Sequence, residues 1–249
     1  MIIYVFDGTF EGFLTSVYES YYTPKKPNKI ISGNEVNAQF NMIDEFIYID
    51  SNLDKSNKVY NSLETKFSKD SFMRIYYSFL SDIPGTYTKI YEFIVLGFKL
   101  GKNLDMHLHN PIVSDIEKIS RKVTLEAHRF LGFVRFKEIG ENTYYSSIEP
   151  DHNILYIIYN HFTLRYKNQN FIIHDVKRNI GLFYDTNNWI IKNFKEDPCL
   201  NISASKEEDI YNILWKQYFL SASIEERKSL RRQKQMMPIR YWNHLNEVK

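Results

Sequence analysis

Apolar side chains recur at helical spacing over much of the chain. The clearest stretch is about 111–131, where six apolar residues follow one another at intervals of three or four positions: Ile112, Ile116, Ile119, Val123, Ala127 and Phe130. At about 100° per residue these positions form one narrow stripe, which predicts an amphipathic helix that ends at Gly132. The same spacing, with Thr9, Asp151 and Ser205 as candidate N-caps, predicts further helices over about 10–21, 53–67, 71–81, 87–100, 152–166 and 206–221.

Short runs rich in β-branched and aromatic residues separate these helices. They predict strands over about 2–6, 46–50, 133–138, 144–148, 171–175, 180–184 and 189–194. The order predicts an α+β fold, with a mostly antiparallel sheet of about five short strands packed with about seven helices. We expect one globular domain over 1–224, helix-rich over 1–131 and sheet-rich over 132–221, and then a separate tail over 225–249.

Composition narrows the class of protein. The 249 residues are 43% hydrophobic and 25% charged, which excludes a wholly disordered chain. No apolar run approaches the ~18 residues that cross a bilayer, and the first residues carry no basic segment of a secretory signal, so we expect a cytoplasmic protein without membrane contact. The single Cys199 rules out an internal disulfide and any cysteine cluster. No glycine-rich phosphate loop occurs, and no cofactor is predicted.

Positive charge is concentrated at the C-terminal end. Residues 225–249 carry seven Lys and Arg against three Glu, whereas the other 224 residues carry 25 basic and 27 acidic groups. A basic tail on a nearly neutral body indicates a polyanion or an acidic protein surface as partner, although a solvated tail is equally compatible with the pattern. In the tail, Arg227, Arg231, Arg232 and Arg240 could neutralise phosphates while Tyr241 stacks on an unpaired base. Alternatively, Pro238 bends the tail back so that Tyr241, Trp242 and Leu245 fill a groove on the body.

Three polar clusters lie at predicted strand–helix junctions. The first is Glu126–Phe130 with Arg135, the second is Glu149–Asn153 followed by His161 and Arg165, and the third is His174–Arg178. An acid–base role is open for four of their residues, His128, Asp151, His152 and His161. Phosphate contact is open for four others, Arg129, Arg135, Arg165 and Arg178.

Structural roles are equally open for several of these residues. Asp151 could only cap a helix, His161 could only satisfy a buried carbonyl, and Arg129 could only pair with Glu126 across one turn. The pair His107 and His109 lacks a third metal ligand, so no metal site is predicted.

Several segments together resemble a known family. They are D-G-T-F-E-G (7–12), R-K-V-T-L-E-A-H-R-F-L-G-F-V-R-F (121–136), E-P-D-H-N-I-L (149–155), H-F-T-L-R (161–165), D-V-K-R-N-I-G-L-F-Y-D (175–185), L-W-K-Q-Y-F (214–219) and M-P-I-R-Y-W (237–242). In this order they resemble the bacterial family described as probable DNA metabolism proteins. That resemblance implies kinship with one half of longer proteins fused to a uracil-DNA-glycosylase-like domain. It also implies a radical S-adenosylmethionine protein as a neighbour in DNA modification or repair.

Three hypotheses follow. The first is a DNA-binding accessory protein in repair or modification, which contacts single-stranded or damaged DNA through arginines and an aromatic side chain. The second is an enzyme that acts on a DNA base or end through the histidines and Asp151. The third is a protein adaptor for a radical S-adenosylmethionine enzyme or a uracil-DNA-glycosylase-like partner. The sequence alone does not decide whether the protein is an enzyme.

Overall fold

The computed structural model describes residues 1–35, 44–140, 142–194, 217, 221 and 229–245. Residue contacts divide the chain into two compact units, Met1–Val123 and Thr124–Lys249. The division falls within helix α5 (Pro111–Phe133), whose apolar stripe is buried at Val113, Ile116, Val123 and Phe130.

The first unit is built on a small parallel sheet. Its strands are β1 (Ile2–Phe6), β2 (Lys29–Ser32) and β3 (Glu45–Ile49), with β1 in the centre and parallel to both neighbours. Four consecutive residues of β1 are buried, as is typical of a strand covered on both faces. The helices are α1 (Phe10–Tyr22), α2 (Leu53–Lys66), α3 (Lys69–Phe79) and α4 (Thr86–Leu100).

Side-chain caps start three of these helices. The oxygens of Thr9, Asn52 and Ser68 accept hydrogen bonds from the backbone N–H three residues further on, which satisfies donors that the first helical turn leaves open. Aromatic and aliphatic side chains from the sheet and from α1, α2 and α4 form one core, with Phe6, Phe13, Leu63, Ile90 and Phe93 at its centre.

The second unit contains a five-stranded sheet. Its strands are β4 (Lys137–Gly140), β5 (Thr143–Ile148), β6 (Asn170–Asp175), β7 (Ile180–Tyr184) and β8 (Trp189–Asn193), in that spatial order. Every pairing is antiparallel except β5 with β6, which helix α6 (Leu155–Arg165) connects as a crossover. Helix α7 (Leu230–Met236) and a 3₁₀ turn at Ile239–His244 follow later in the chain.

The predicted α+β class and the mostly antiparallel five-stranded sheet are confirmed. The parallel pairing of β1 with β2 and β3 was not predicted, and β2 was missed. Two boundaries were wrong. Helix α5 continues through Gly132 to Phe133, so the next strand starts at Lys137 and not at 133. Helix α6 starts after Ile154, so Asp151 does not cap it.

The helix predicted over 206–221 lies outside the described residues except at 217 and 221. Among the described helices, none combines the length and the apolar character that crossing a membrane requires.

Candidate functional site

A buried carboxylate organises the polar part of the second unit. Glu126 lies three residues after Val123 and four before Phe130, so it occupies the apolar stripe of α5 and is only 4% exposed. Its Oε1 accepts the backbone N–H of Asp151 at 2.8 Å and its Oε2 accepts that of His152 at 2.8 Å. These two donors belong to the loop between β5 and α6, where no strand or helix partner is available. Glu126 therefore binds the 149–153 loop to α5.

Tyr241 supplies a third hydrogen bond to the same carboxylate. Its hydroxyl donates to Glu126 Oε1, and its ring meets Phe130 edge-on with centroids 4.8 Å apart. Burial raises the pKa of the Tyr241 hydroxyl well above its usual value of 10.0, and the hydrogen bond to the Glu126 carboxylate raises it further. The phenol therefore stays protonated and donates. This contact joins residues that are 115 positions apart in the sequence.

Arg240 closes the arrangement into a ring. Its Nη2 donates to the Tyr241 hydroxyl at 2.9 Å and forms an ion pair with Asp151 Oδ2 at 2.7 Å. Because the backbone of Asp151 also donates to Glu126, four residues form a closed circuit of polar contacts. The guanidinium carbon also lies 4.6 Å from the centroid of the Tyr241 ring.

The residues that follow extend this contact. The side chain of Leu245 is fully buried, and His244 Nδ1 lies 3.1 Å from Ser147 Oγ on β5. The Trp242 indole N–H donates to the carbonyl of Met237 at 2.9 Å. We call residues 238–245 the docked segment, because its side chains pack on α5 and β5 of the second unit.

A second arginine holds the loop from the other side. Arg178 Nη1 pairs with the fully buried carboxylate of Asp175 at 2.6 Å, and its Nη2 donates to the carbonyl of Asp151 at 2.6 Å. The same carbonyl accepts from Lys177 Nζ at 2.9 Å. The 149–153 loop is thus bound through its N–H groups by Glu126 and through a carbonyl by the basic residues that follow β6.

Some predicted site residues come together here. Asp151, Arg178, Arg240 and Tyr241 belong to the network, and His152 joins it through its backbone N–H. The structure gives the Glu126 oxygens three donors, from Asp151, His152 and Tyr241, and Arg129 is not among them.

Other predicted residues lie elsewhere. His128 is exposed on α5, and Arg165 is exposed at the end of α6. His161 is half-buried with its ring edge-on to Phe162, and Arg135 donates to the carbonyl of Gly132 at 2.5 Å. Arg231 and Arg232 are exposed on α7. Arg129 on α5 is half-buried. Arg227 lies outside the described residues.

A different histidine has a perturbed environment. Nδ1 of His174 on β6 forms a hydrogen bond with the Tyr145 hydroxyl at 2.9 Å. The imidazole ring stacks on Phe194 with centroids 3.9 Å apart. Burial lowers the pKa of its imidazole, against the opposing influence of Asn179 and Asp175. The neutral ring is thereby favoured, as suits a side chain packed between aromatic rings.

The charged groups of the network pair with one another. Each carboxylate of Glu126, Asp151 and Asp175 has its donors, and each guanidinium of Arg178 and Arg240 has its carboxylate. Over the described ranges, no three His, Cys, Asp or Glu side chains cluster as metal ligands do. His107 and His109 do lie close together, with ring centroids 5.4 Å apart. The network is therefore suited to holding the docked segment in place.

Comparison with known proteins gives one family. Residues 84–247 match the family described as a domain of unknown function, DUF4130. No curated protein matches the chain, and no solved structure matches it. The matched span contains every residue of the network around Glu126. Because the match covers more than half of the chain, this protein belongs to the DUF4130 family.

Proposed function

We propose that this protein is a nucleic-acid-binding accessory protein in DNA repair or modification, and that α7 makes its main phosphate contacts. The observation that carries the proposal is that the cations of α7 are exposed and form no salt bridge with a carboxylate in the described part of the chain. These cations are Arg231, Arg232 and Lys234, which lie within one short helix. Clustered, unneutralised cations are what a phosphate backbone requires.

The docked segment gives these cations a defined place. Helix α7 ends at Met236, and the docked segment begins two residues later and is held by Glu126 and Ser147. A basic segment tethered in this way loses less conformational entropy on binding than a free tail would. The network around Glu126 thus supports binding without touching the ligand.

The same geometry narrows the set of phosphate contacts. Arg178 and Arg240 were candidates, but their guanidinium groups already pair with Asp175 and Asp151. Separating Arg178 from Asp175 would leave a fully buried carboxylate uncompensated, which costs free energy. Arg240 is about half exposed, but it is held by both Asp151 and the Tyr241 hydroxyl. The proposal therefore assigns the contacts to Arg231, Arg232 and Lys234, with Arg165 as a further exposed cation.

Fluorescence anisotropy with labelled DNA tests the proposal. The full chain is titrated at low salt with single-stranded, double-stranded and uracil-containing oligonucleotides. We expect binding to at least one of them, and a loss of about tenfold or more in the variant Arg231→Ser/Arg232→Ser/Lys234→Ser. The matched control is Lys102→Ser/Lys118→Ser/Lys122→Ser, which removes three exposed cations of the first unit. Absence of binding to all three DNAs, or equal losses in both variants, would refute the proposal.

An adaptor role is the second candidate, and apolar exposure favours it. Leu230 is 67% exposed, Met236 72% and Ile239 55%, all next to the basic residues. A protein surface that is acidic and apolar would cover them, whereas DNA would not. A radical S-adenosylmethionine protein of the kind that the family resemblance implies is the partner to test. In this case Leu230→Ser/Met236→Ser should abolish nuclease-resistant co-purification and leave DNA binding unchanged.

A further inference from the structure

A groove in the first unit combines aromatic rings with lysines. It is lined by residues of α1 and α2 and by Phe98 of α4, and its volume is about 290 Å³. One wall consists of Tyr18, Tyr21 and Tyr22 from α1, and the other carries Lys58 and Lys66 from α2. All of these residues are described, and none belongs to the network around Glu126.

The aromatic wall is unusually accessible. Tyr22 is 73% exposed and Tyr21 is 49% exposed. Tyr18 and Tyr22 lie one turn apart and stack with centroids 4.4 Å apart and an interplanar angle of 26°. Tyr21 meets Phe98 edge-on at 5.8 Å. Single exposed aromatic residues are ordinary, but a row of them along a groove marks a binding surface.

The lysine wall supplies positive charge beside these rings. Lys58 Nζ lies 5.8 Å from the centroid of Tyr18, and Lys66 Nζ lies 5.3 Å from that of Phe98. The two lysines are eight residues apart on one helix face, which separates them by about 12 Å along the axis. The neighbouring Lys55 is neutralised by Glu19 at 2.5 Å. Within the described residues, Lys58 and Lys66 have no such carboxylate.

These two walls select one class of ligand. A neutral aromatic molecule would stack on the rings but would carry no negative charge for the lysines. An acidic peptide without aromatic side chains would pair with the lysines but would not stack on the rings. A single nucleic-acid strand presents both flat bases and phosphates. The separation of Lys58 and Lys66 along the helix axis corresponds to about two nucleotides of such a strand. We propose that the groove between α1 and α2 binds a short stretch of single-stranded nucleic acid, with a base stacked on Tyr22 and phosphates beside Lys58 and Lys66.

This inference shares its ligand class with the proposed function but rests on different residues. If the tail cations bind a protein instead, the groove keeps its rings and its lysines. The test must therefore separate the two surfaces, and each needs its own variant.

The experiment uses a six-nucleotide thymidine oligonucleotide in which one base is 5-iodouracil. The full chain is titrated by anisotropy and then irradiated, and the crosslinked peptide is identified by mass spectrometry. We expect Tyr22→Ala to weaken binding at least about fivefold, since stacking on an aromatic side chain contributes that much per base. We also expect the crosslink at Tyr21 or Tyr22. Because Tyr22 is largely exposed, the melting temperature should not change.

Matched controls make the result specific. Tyr48→Ala removes another exposed tyrosine, 69% exposed on β3, and should leave affinity unchanged. Lys58→Ser/Lys66→Ser should weaken binding, whereas Lys102→Ser/Lys118→Ser should not. Equal affinities for Tyr22→Ala and Tyr48→Ala, or a crosslink confined to the second unit, would overturn the inference.

The tail variant distinguishes the two proposals. If Arg231→Ser/Arg232→Ser/Lys234→Ser retains the crosslink at Tyr22 and its affinity for the thymidine oligonucleotide, the groove is supported. The proposed role of α7 is refuted as well if that variant also keeps its affinity for the single-stranded, double-stranded and uracil-containing DNAs. If that variant loses affinity while Tyr22→Ala does not, the groove is refuted and the proposed function stands. If the wild-type chain binds double-stranded or uracil-containing DNA but not the thymidine oligonucleotide, the groove alone is refuted. If it binds none of these DNAs, both proposals are refuted.

Discussion

At the scale of single residues, Glu126 is a carboxylate that is only 4% exposed on the apolar stripe of α5. A carboxylate buried on the apolar face of a helix is costly unless donors surround it, and here two backbone N–H groups and the Tyr241 hydroxyl do so. The signal for this role is present in the sequence, because Glu126 interrupts an apolar stripe at a core-facing position. Its partners cannot be read there, since they come from a loop and from the C-terminal segment.

Replacing Glu126 with Gln should destabilise the second unit by about 1–3 kcal/mol, because one N–H donor would then face an amide NH₂ and stay unsatisfied. Urea unfolding followed by tryptophan fluorescence measures the effect. Trp189 and Trp242 lie in the described part of this unit, and the sequence of the first unit contains no tryptophan. The control Glu64→Gln, at an exposed position, should change the free energy of unfolding by no more than about 0.5 kcal/mol. Equal stabilities would show that Glu126 is not the anchor.

Tyr241 gives a prediction about pH. Its folded-state pKa is raised, so its contribution to stability is fully present below pH 10.0 and is lost as pH rises through the folded value. Tyr241→Phe lacks this contribution at every pH. The difference in urea midpoint between wild type and Tyr241→Phe should therefore be largest near pH 8 and should shrink above pH 10. Other tyrosines titrate equally in both proteins and cancel, and a difference that stays constant would contradict the buried hydrogen bond.

At the scale of elements, local patterns predict most helices and the strands of the larger sheet. Where prediction failed, the deciding interaction was distant in sequence. Strand β2 has four residues between prolines and polar side chains, and only its parallel pairing with β1 makes it a strand. Asp151 resembles an N-cap, but Arg240 takes its carboxylate and the helix begins four residues later.

Two glycines in helices predict opposite effects of the same substitution. A Cβ at Gly97 of α4 would lie 2.2 Å from a ring carbon of Phe67, whereas a Cβ at Gly132 of α5 would meet nothing within 4 Å. Gly97→Ala should therefore destabilise the first unit by about 1–3 kcal/mol through overpacking. Gly132→Ala should stabilise the second unit by about 0.5–1 kcal/mol, because alanine favours a helix. Urea unfolding, followed by circular dichroism for the first variant and tryptophan fluorescence for the second, measures both, and a shared sign would contradict the packing.

At the scale of the whole molecule, positive charge is concentrated in residues 225–249, which carry seven Lys and Arg against three Glu. This asymmetry can be read from the sequence, and so can most of the charged residues of the polar network and of α7. The sequence does not reveal which cations are internally neutralised, because neutralisation depends on partners such as Asp175 and Asp151 that only folding brings near. Arg178 and Arg240 are paired with carboxylates within the polar network, and we therefore propose the arginines of α7 as the ligand contacts.

The central claim is that a docked segment presents the cations of α7 to nucleic acid. The salt dependence of binding to a single-stranded oligonucleotide tests it most directly, because each phosphate contact adds about 0.7 to the slope of log K against log salt. The account predicts that Arg231→Ser/Arg232→Ser/Lys234→Ser lowers the slope by about 2 and that Lys102→Ser/Lys118→Ser/Lys122→Ser leaves it unchanged. Identical slopes for wild type and the α7 variant would contradict it.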